Sequence, residues 1–236
     1  MPTVPATTPR TARAIARAEL TSAILERAGA QLAEVGPAAL SVRQVARDLE
    51  MASSAVYRYF PSRDALLTAL IIEGYDDLGD AVEGADATIT RRDRVDRRWH
   101  AVTHAVRDWA RAQPHRYALL YGSPVPGYAA PDDTVPAATR ITFALLAIVR
   151  DAEQNGRSPR DPRPVSRAEH AALANVRGFL DPGISDAMAV RALVAWAALF
   201  GHVSLELFGH MHRGVLDYDA HFAQVVDQLA DDLGLL

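Results

Sequence analysis

Apolar residues recur at helical spacing along most of this chain. Leu20, Ile24, Leu25, Ala28, Leu32 and Val35 fall three or four residues apart, predicting a helix over 14–35 that Gly36 and Pro37 end. Ser41 is a good N-cap, and Gln44 three residues on completes a capping-box pattern for a helix through Leu49. Ser53 or Ser54 can cap a short helix that reaches Tyr59 or Phe60 before Pro61 stops it. Ser62 caps a fourth helix over 62–80, with Ala65, Leu66, Leu67, Leu70, Ile71 and Tyr75 as its apolar face. Further helices are predicted over 91–113, 137–154, 166–180, 186–208 and 219–233, with a helical turn through Tyr121 after Pro114. The Pro- and Gly-rich stretches 122–136 and 155–164 read as loops. No strand run and no internal repeat is visible. The expected class is all-α, with a basic disordered arm over 1–13, a helix-turn-helix unit over 14–61 and a larger helical domain over 62–236, the helix at 62–80 linking the two.

Composition narrows the chemistry. The 236 residues include no cysteine, so disulfides, thiolate zinc sites and thiol nucleophiles are excluded. No run of 18 apolar residues and no apolar segment ahead of a cleavage site is present, so a cytoplasmic protein without a membrane partner is expected. The net charge of −4 hides an asymmetry. Residues 1–63 carry 8 Arg against 5 acids, while the remainder carries 17 Arg against 24 acids. A basic head on an acidic body points to an anionic partner at the head. No lysine occurs, so every fixed cation is a guanidinium, suited to bidentate contact with phosphate or guanine.

The helices at 41–49 and 53–60, joined by a tight turn, form a helix-turn-helix pattern, in which the second helix enters the DNA major groove. Its sequence, SSAVYRYF, suits two environments. Val56 and Phe60 fall on a core side, whereas Ser53, Ser54, Ala55, Tyr57 and Arg58 fall toward base edges or phosphates. Tyr59 is placed to reach a phosphate. Ser41, Arg43 and Gln44 lie at the start of the preceding helix, by the groove edge. Arg63 opens the fourth helix beside exposed N–H groups that favour phosphate. Arg10, Arg13 and Arg17 can follow the backbone or an adjacent minor groove. A plain helical bundle with surface arginines is the competing reading.

The stretch LSVRQVARDLEMASSAVYRYFPSRDALLTAL, at 40–70, resembles the N-terminal signature of the TetR family of transcriptional repressors. The matching features are Ser41, Ala46, Tyr57 with Phe60, and Arg63. The resemblance implies a homodimer that binds double-stranded operator DNA, and a C-terminal helical domain whose small-molecule effector pulls the two heads out of register. One position departs from the family pattern. Where the family has glycine in the turn, this chain has Glu50, a non-glycine residue strained there and with its carboxylate near DNA phosphates, so either the turn differs or Glu50 points away.

The segment AWAALFGHVSLELFGH, at 195–210, is similar to a TetR C-terminal subgroup common in actinobacteria. The helix over 190–208 is apolar nearly all round, which predicts burial on every side, by its own domain and by a partner. The expected interface comprises Val190, Leu193, Val194, Ala197, Phe200, Val203 and Leu207, with Phe222, Val226 and Leu229 of the last helix. The expected effector pocket is apolar or aromatic and takes its lining from Trp99, Val102, His104, Val106, Trp109, Tyr117, Leu120, Tyr121, Phe143, Leu146 and Val176. For each of these, ordinary core packing is the alternative. His202, Glu206 and His210, spaced four and four, form a weak metal-site pattern and the basis of a metal-responsive alternative. No cofactor is expected. No phosphate loop, H-E-x-x-H or G-x-S-x-G occurs, so no enzyme is expected either.

Overall fold

The computed structural model describes residues 12–159, 164–174 and 183–236. Among them are ten α-helices, two 3-10 turns and no strand. The helices are α1 (Ala12–Val35), α2 (Val42–Asp48), α3 (Ser53–Val56), α4 (Arg63–Ala87), α5 (Val95–Ala112), α6 (Pro114–Tyr121), α7 (Val135–Gln154), α8 (Arg167–Ala172), α9 (Asp186–Leu207) and α10 (Tyr218–Asp232). The expected arm over 1–13 overlaps α1 at its last two residues, and the rest lies outside the described residues. Residues 175–180 of the helix expected over 166–180 lie outside them as well.

The chain divides into two compact units, one of residues 1–71 with 124–130 and one of 72–123 with 131–236. Helix α4 therefore contributes to both. In the first unit, α1 buries Ile24, Ala28 and Leu32, α2 buries Val42, Val45 and Ala46, and α4 adds Leu66, Leu67 and Leu70. Gly36, at a φ of 74°, ends α1 by donating its N–H to Leu32. A 3-10 turn at Pro37–Ala39 leads to Ser41, whose Oγ caps α2 by accepting from the Gln44 N–H at 3.3 Å. The reciprocal half of the cap is not Gln44. Gln31 of α1 accepts from the Ser41 N–H at 2.7 Å, while the Gln44 amide instead donates to Asp48 at 2.6 Å. Tyr128 reaches the same unit through a 2.9 Å hydrogen bond with Thr68.

In the second unit, Trp99, Val102, Val106, Ile141, Ile148, Met188, Leu199, Val203, Phe222 and Val226 share one core built from α5, α7, α9 and α10. Arg98 is fully buried within it and bonds Asp86 at 2.7 Å and Asp151 at 2.6 Å. Burial alone would raise the Asp86 carboxyl, but Arg98 and Arg92 outweigh it and hold the group below the ordinary carboxylate range. Arg140 of α7 lies on the acidic face of α4, bonding Asp80 at 2.6 Å and Glu83 at 2.7 Å. Gly79 makes room for it, since a Cβ there would sit 2.8 Å from the guanidinium. Helix α9 has the length and hydropathy of a membrane span, yet one of its faces packs into this core, as the central helix of a globular unit does.

Candidate functional site

The α2–α3 pair forms a helix-turn-helix. Its turn keeps left-handed geometry, with Glu50 at a φ of 54°. The Met51 N–H bonds Ala46 O at 2.9 Å and the Glu50 N–H bonds Arg47 O at 3.0 Å. These are the two bonds of a Schellman ending, and Glu50 occupies the position that normally takes glycine. The turn therefore does not differ from the glycine-type geometry, and a non-glycine residue holds it.

Helix α3 is shorter than the sequence suggests, a single turn over Ser53–Val56 continued by turns through Tyr59. No serine caps it: the N-cap is Ala52 and makes no side-chain bond. Val56 and Phe60 face inward and are buried. Ser54, Tyr57 and Arg58 are exposed together, three and four residues apart, with Tyr57 at 40% exposure. Ser53, Ala55 and Tyr59 are half-buried. Arg43 is exposed on the first turn of α2. Neither Arg43 nor Arg58 forms an ion pair or side-chain hydrogen bond among the described residues.

Other members of the expected set are committed elsewhere. The Gln44 side chain is bridged between Asp48 and Arg47. Asp48 in turn accepts from Arg27 at 2.7 Å, which lowers its carboxyl below the usual range. Arg63 turns inward: it donates to the carbonyls of Pro37, Ala38 and Leu40. Three carbonyls at the end of the 3-10 turn converge on the start of α4 and take up the Nε and Nη2 of Arg63. Arg13 is exposed on α1, and Arg17 lies over the Tyr59 ring at 5.1 Å. Arg10 lies outside the described residues.

The expected pocket lining separates into core and wall. Val102 and Val106 are fully buried, Trp99 Nε1 donates to Val226 O at 3.1 Å and Trp109 Nε1 to Asp77 at 2.9 Å. Tyr117 is buried with its hydroxyl donating to Phe200 O at 3.0 Å, and burial pushes its pKa up to about 12. These five are packed core because each polar atom has an internal partner and the aliphatic ones meet only other side chains. Tyr121 and Leu146 are half-buried, Leu120 packs against Gly74, and His104 stacks on His100 and meets the Phe222 ring edge-on. Phe143 is 43% exposed and lines an open groove of about 530 Å³ with Glu83, Asp86, Arg92 and Arg140. Val176 lies outside the described residues. Periodicity alone did not single out Tyr75, Trp196 and Phe200 as a group. With Tyr121 they form an aromatic run from α4 through α6 to α9, with centroid separations of 6.0, 4.5 and 5.1 Å.

The expected interface also needs correction. Phe200, Val203, Phe222, Val226 and Leu229 are buried within their own unit, because α10 packs over that side of α9. Phe200, Val203, Phe222 and Val226 are enclosed by their own unit, while Leu229 lines an open groove with Val190 and Val194. Val190, Leu193 and Leu207 are half-buried. Val194 and Ala197 of the expected set are exposed, Val194 at 62%, and the exposed stripe of α9 continues from them through Ala198, Gly201 and Leu205 to Phe208 just past its end.

The histidine pattern does not assemble either. Glu206 is held by Arg107 through bonds of 2.8 and 2.7 Å. Helix α9 ends at Leu207 and Gly209, at a φ of 78°, redirects the chain, so His210 leaves the shared face. Among the described residues no group of three metal-ligating side chains is present. His202 is buried beside His221 and Phe222, its Nε2 has no partner, and burial lowers its pKa.

Comparison with known proteins agrees with this architecture. Residues 24–70 match the model for bacterial regulatory proteins of the tetR family, and residues 99–229 match that for the tetracyclin repressor-like C-terminal domain. The HTH-type transcriptional regulators Rv1816 of Mycobacterium tuberculosis and Mb1846 of Mycobacterium bovis are each 40% identical over 230 residues, covering 92% of this chain and 94% of theirs. The crystal structure of regulatory protein SCO4313 has a TM-score of 0.76 at 32% identity, covering 94% of this chain and 98% of that one. A Rhodococcus sp. RHA1 protein of unknown function has a TM-score of 0.69 at 28% identity, covering 91% and 95%.

Proposed function

The chain belongs to the TetR family of bacterial transcriptional regulators, and from that premise we propose that it is a cytoplasmic, ligand-responsive repressor that binds a palindromic operator as a homodimer. The observation that carries the reading is the pair of unpaired guanidiniums, Arg43 and Arg58, exposed with Ser54 and Tyr57 on the outer side of the helix-turn-helix. An uncompensated cation on a reading helix suits bases and phosphates. The exposed apolar stripe of α9 supports the dimer, because a continuous row of small and aliphatic residues is suited to a two-fold helix pairing.

The effector in this reading is uncharged and aromatic or apolar. Tyr75, Tyr121, Trp196 and Phe200 offer ring faces, while Arg107, Arg116 and Arg140 of the same unit are committed to carboxylates. Helix α6 carries the response. Arg116 bonds Glu73 at 3.1 Å and Asp77 at 3.4 Å, and Leu120 packs on Gly74, so a displacement of α6 acts on α4 directly. Operator and effector then weaken each other by the same factor.

The test is the double variant Arg43→Ala/Arg58→Ala. Both side chains are exposed, so helicity and oligomeric state should stay unchanged while operator binding disappears. Unchanged affinity would overturn the reading.

A further inference from the structure

We infer that Arg63 is a positioning residue for DNA reading, acting through the start of α2 and making no phosphate contact of its own. This rests on the DNA-binding reading above. The side chain is 30% exposed and sits on the first residue of α4. Its Nη2 donates to Pro37 O at 2.8 Å and Ala38 O at 3.1 Å, and its Nε donates to Leu40 O at 3.2 Å. Nη1 lies 3.7 Å from the Asp64 carboxylate. Nε and Nη2 are therefore hydrogen-bonded within the chain, and Nη1 stands at ion-pair distance from Asp64.

The three carbonyls have a common origin. Pro37 and Ala38 belong to the 3-10 turn, and Leu40 immediately precedes Ser41, the cap of α2. Pro37 O already accepts the Leu40 N–H of the turn at 3.4 Å and takes the guanidinium as a second donor, while a cation at the end of a helical turn also meets its carbonyls and its negative end. A planar fork of five N–H donors can serve three such oxygens at once, whereas a point-charge ammonium cannot hold the same geometry. The bond network ties the first residue of α4 to the 3-10 turn and to Leu40, the residue before the cap of α2, and the first turn of α2 that follows carries Arg43. Arg63 thereby sets where α2 begins, and so where Arg43 and the α3 turn stand against the groove.

Phosphate contact and positioning make opposite predictions for Arg63→Lys, which keeps the charge and loses the fork. Wild type, Arg63→Lys and Arg63→Gln would be titrated by fluorescence anisotropy onto a duplex selected by wild type from random DNA, and onto a scrambled duplex, across a salt series. Positioning predicts that both variants lose roughly fivefold or more on the selected duplex. It also predicts near-wild-type binding to the scrambled duplex and an unchanged slope of log K against log salt. A phosphate contact predicts near-wild-type behaviour for Arg63→Lys. For Arg63→Gln it predicts a uniform loss on both duplexes with the slope reduced by about one, and that result would overturn the inference. A uniform loss with unchanged slope would also overturn it, as the mark of general destabilisation. Failure of wild type to select any duplex would instead refute the DNA-binding reading on which the inference rests.

Discussion

Glu50→Gly should stabilise this protein, although it removes a side chain from a well-formed turn. Glu50 has a φ of 54°, where Cβ crowds the backbone, and a non-glycine residue in the left-handed region costs about 1–2 kcal/mol. Glycine removes that cost and keeps both closing bonds, which are made by backbone atoms. It also adds freedom to the unfolded chain, which returns about 0.4–1 kcal/mol. The difference spans about 0–1.6 kcal/mol and centres at about 0.8 kcal/mol, a rise in Tm of roughly 2–3 °C for a chain of this size. Two controls isolate the cause. Glu50→Ala keeps the crowding and loses the charge, so its Tm should match wild type. Glu50→Gln should do the same and should bind DNA more tightly at low salt, because one carboxylate has left the basic head. Calorimetric or circular-dichroism melts of the four proteins decide the matter. Glu50→Gly melting no higher than Glu50→Ala would refute the claim that strain resides at this turn.

Further perturbations follow from the second unit. Arg98→Ala leaves Asp86 to Arg92 and Asp151 to Arg150, empties a fully buried position, and should cost about 1–3 kcal/mol in urea unfolding, visible as a lower midpoint. Asp86 has a depressed pKa, so its contribution is present above the unfolded carboxylate value and should vanish as pH falls through and below it, steepening acid unfolding. His202 has a lowered pKa and an unpartnered Nε2, so protonation favours the unfolded chain and stability should decline as pH falls below about 6.5. His202→Leu should flatten that decline without loss of stability at pH 8, as read by Tm against pH. Val194→Asp and Leu205→Asp place charges in the exposed stripe of α9 and should weaken dimerisation by roughly a hundredfold or more at unchanged helicity, measured by sedimentation.

Much of this was legible in the sequence because helical spacing reports burial directly. Val56 and Phe60 against Ser54, Tyr57 and Arg58 is a division of faces that spacing alone gives. Glu50 stands out only beside the family pattern, since nothing local marks a glutamate as left-handed. Three things were not legible, each for a physical reason. A helix apolar all round, such as α9, does not say which side its own α10 covers, so Phe200 and Val203 were assigned outward. Long-range polar partners have no local signature: Gln31 at the Ser41 cap and the carbonyls under Arg63 lie 10 and 23 to 26 residues away. The four-residue histidine spacing assumed that the helix continues, and Gly209 ends it.

The most direct test of the central claim is selection of duplexes from random DNA by the purified full chain, followed by a salt titration of the enriched sequence. The account predicts an inverted repeat with half-sites about one helical turn apart, bound with a discrete stoichiometry that resists competitor DNA. Enrichment of no sequence, or binding that disappears altogether with modest salt, would contradict it, leaving only phosphate attraction by the arginines of the head.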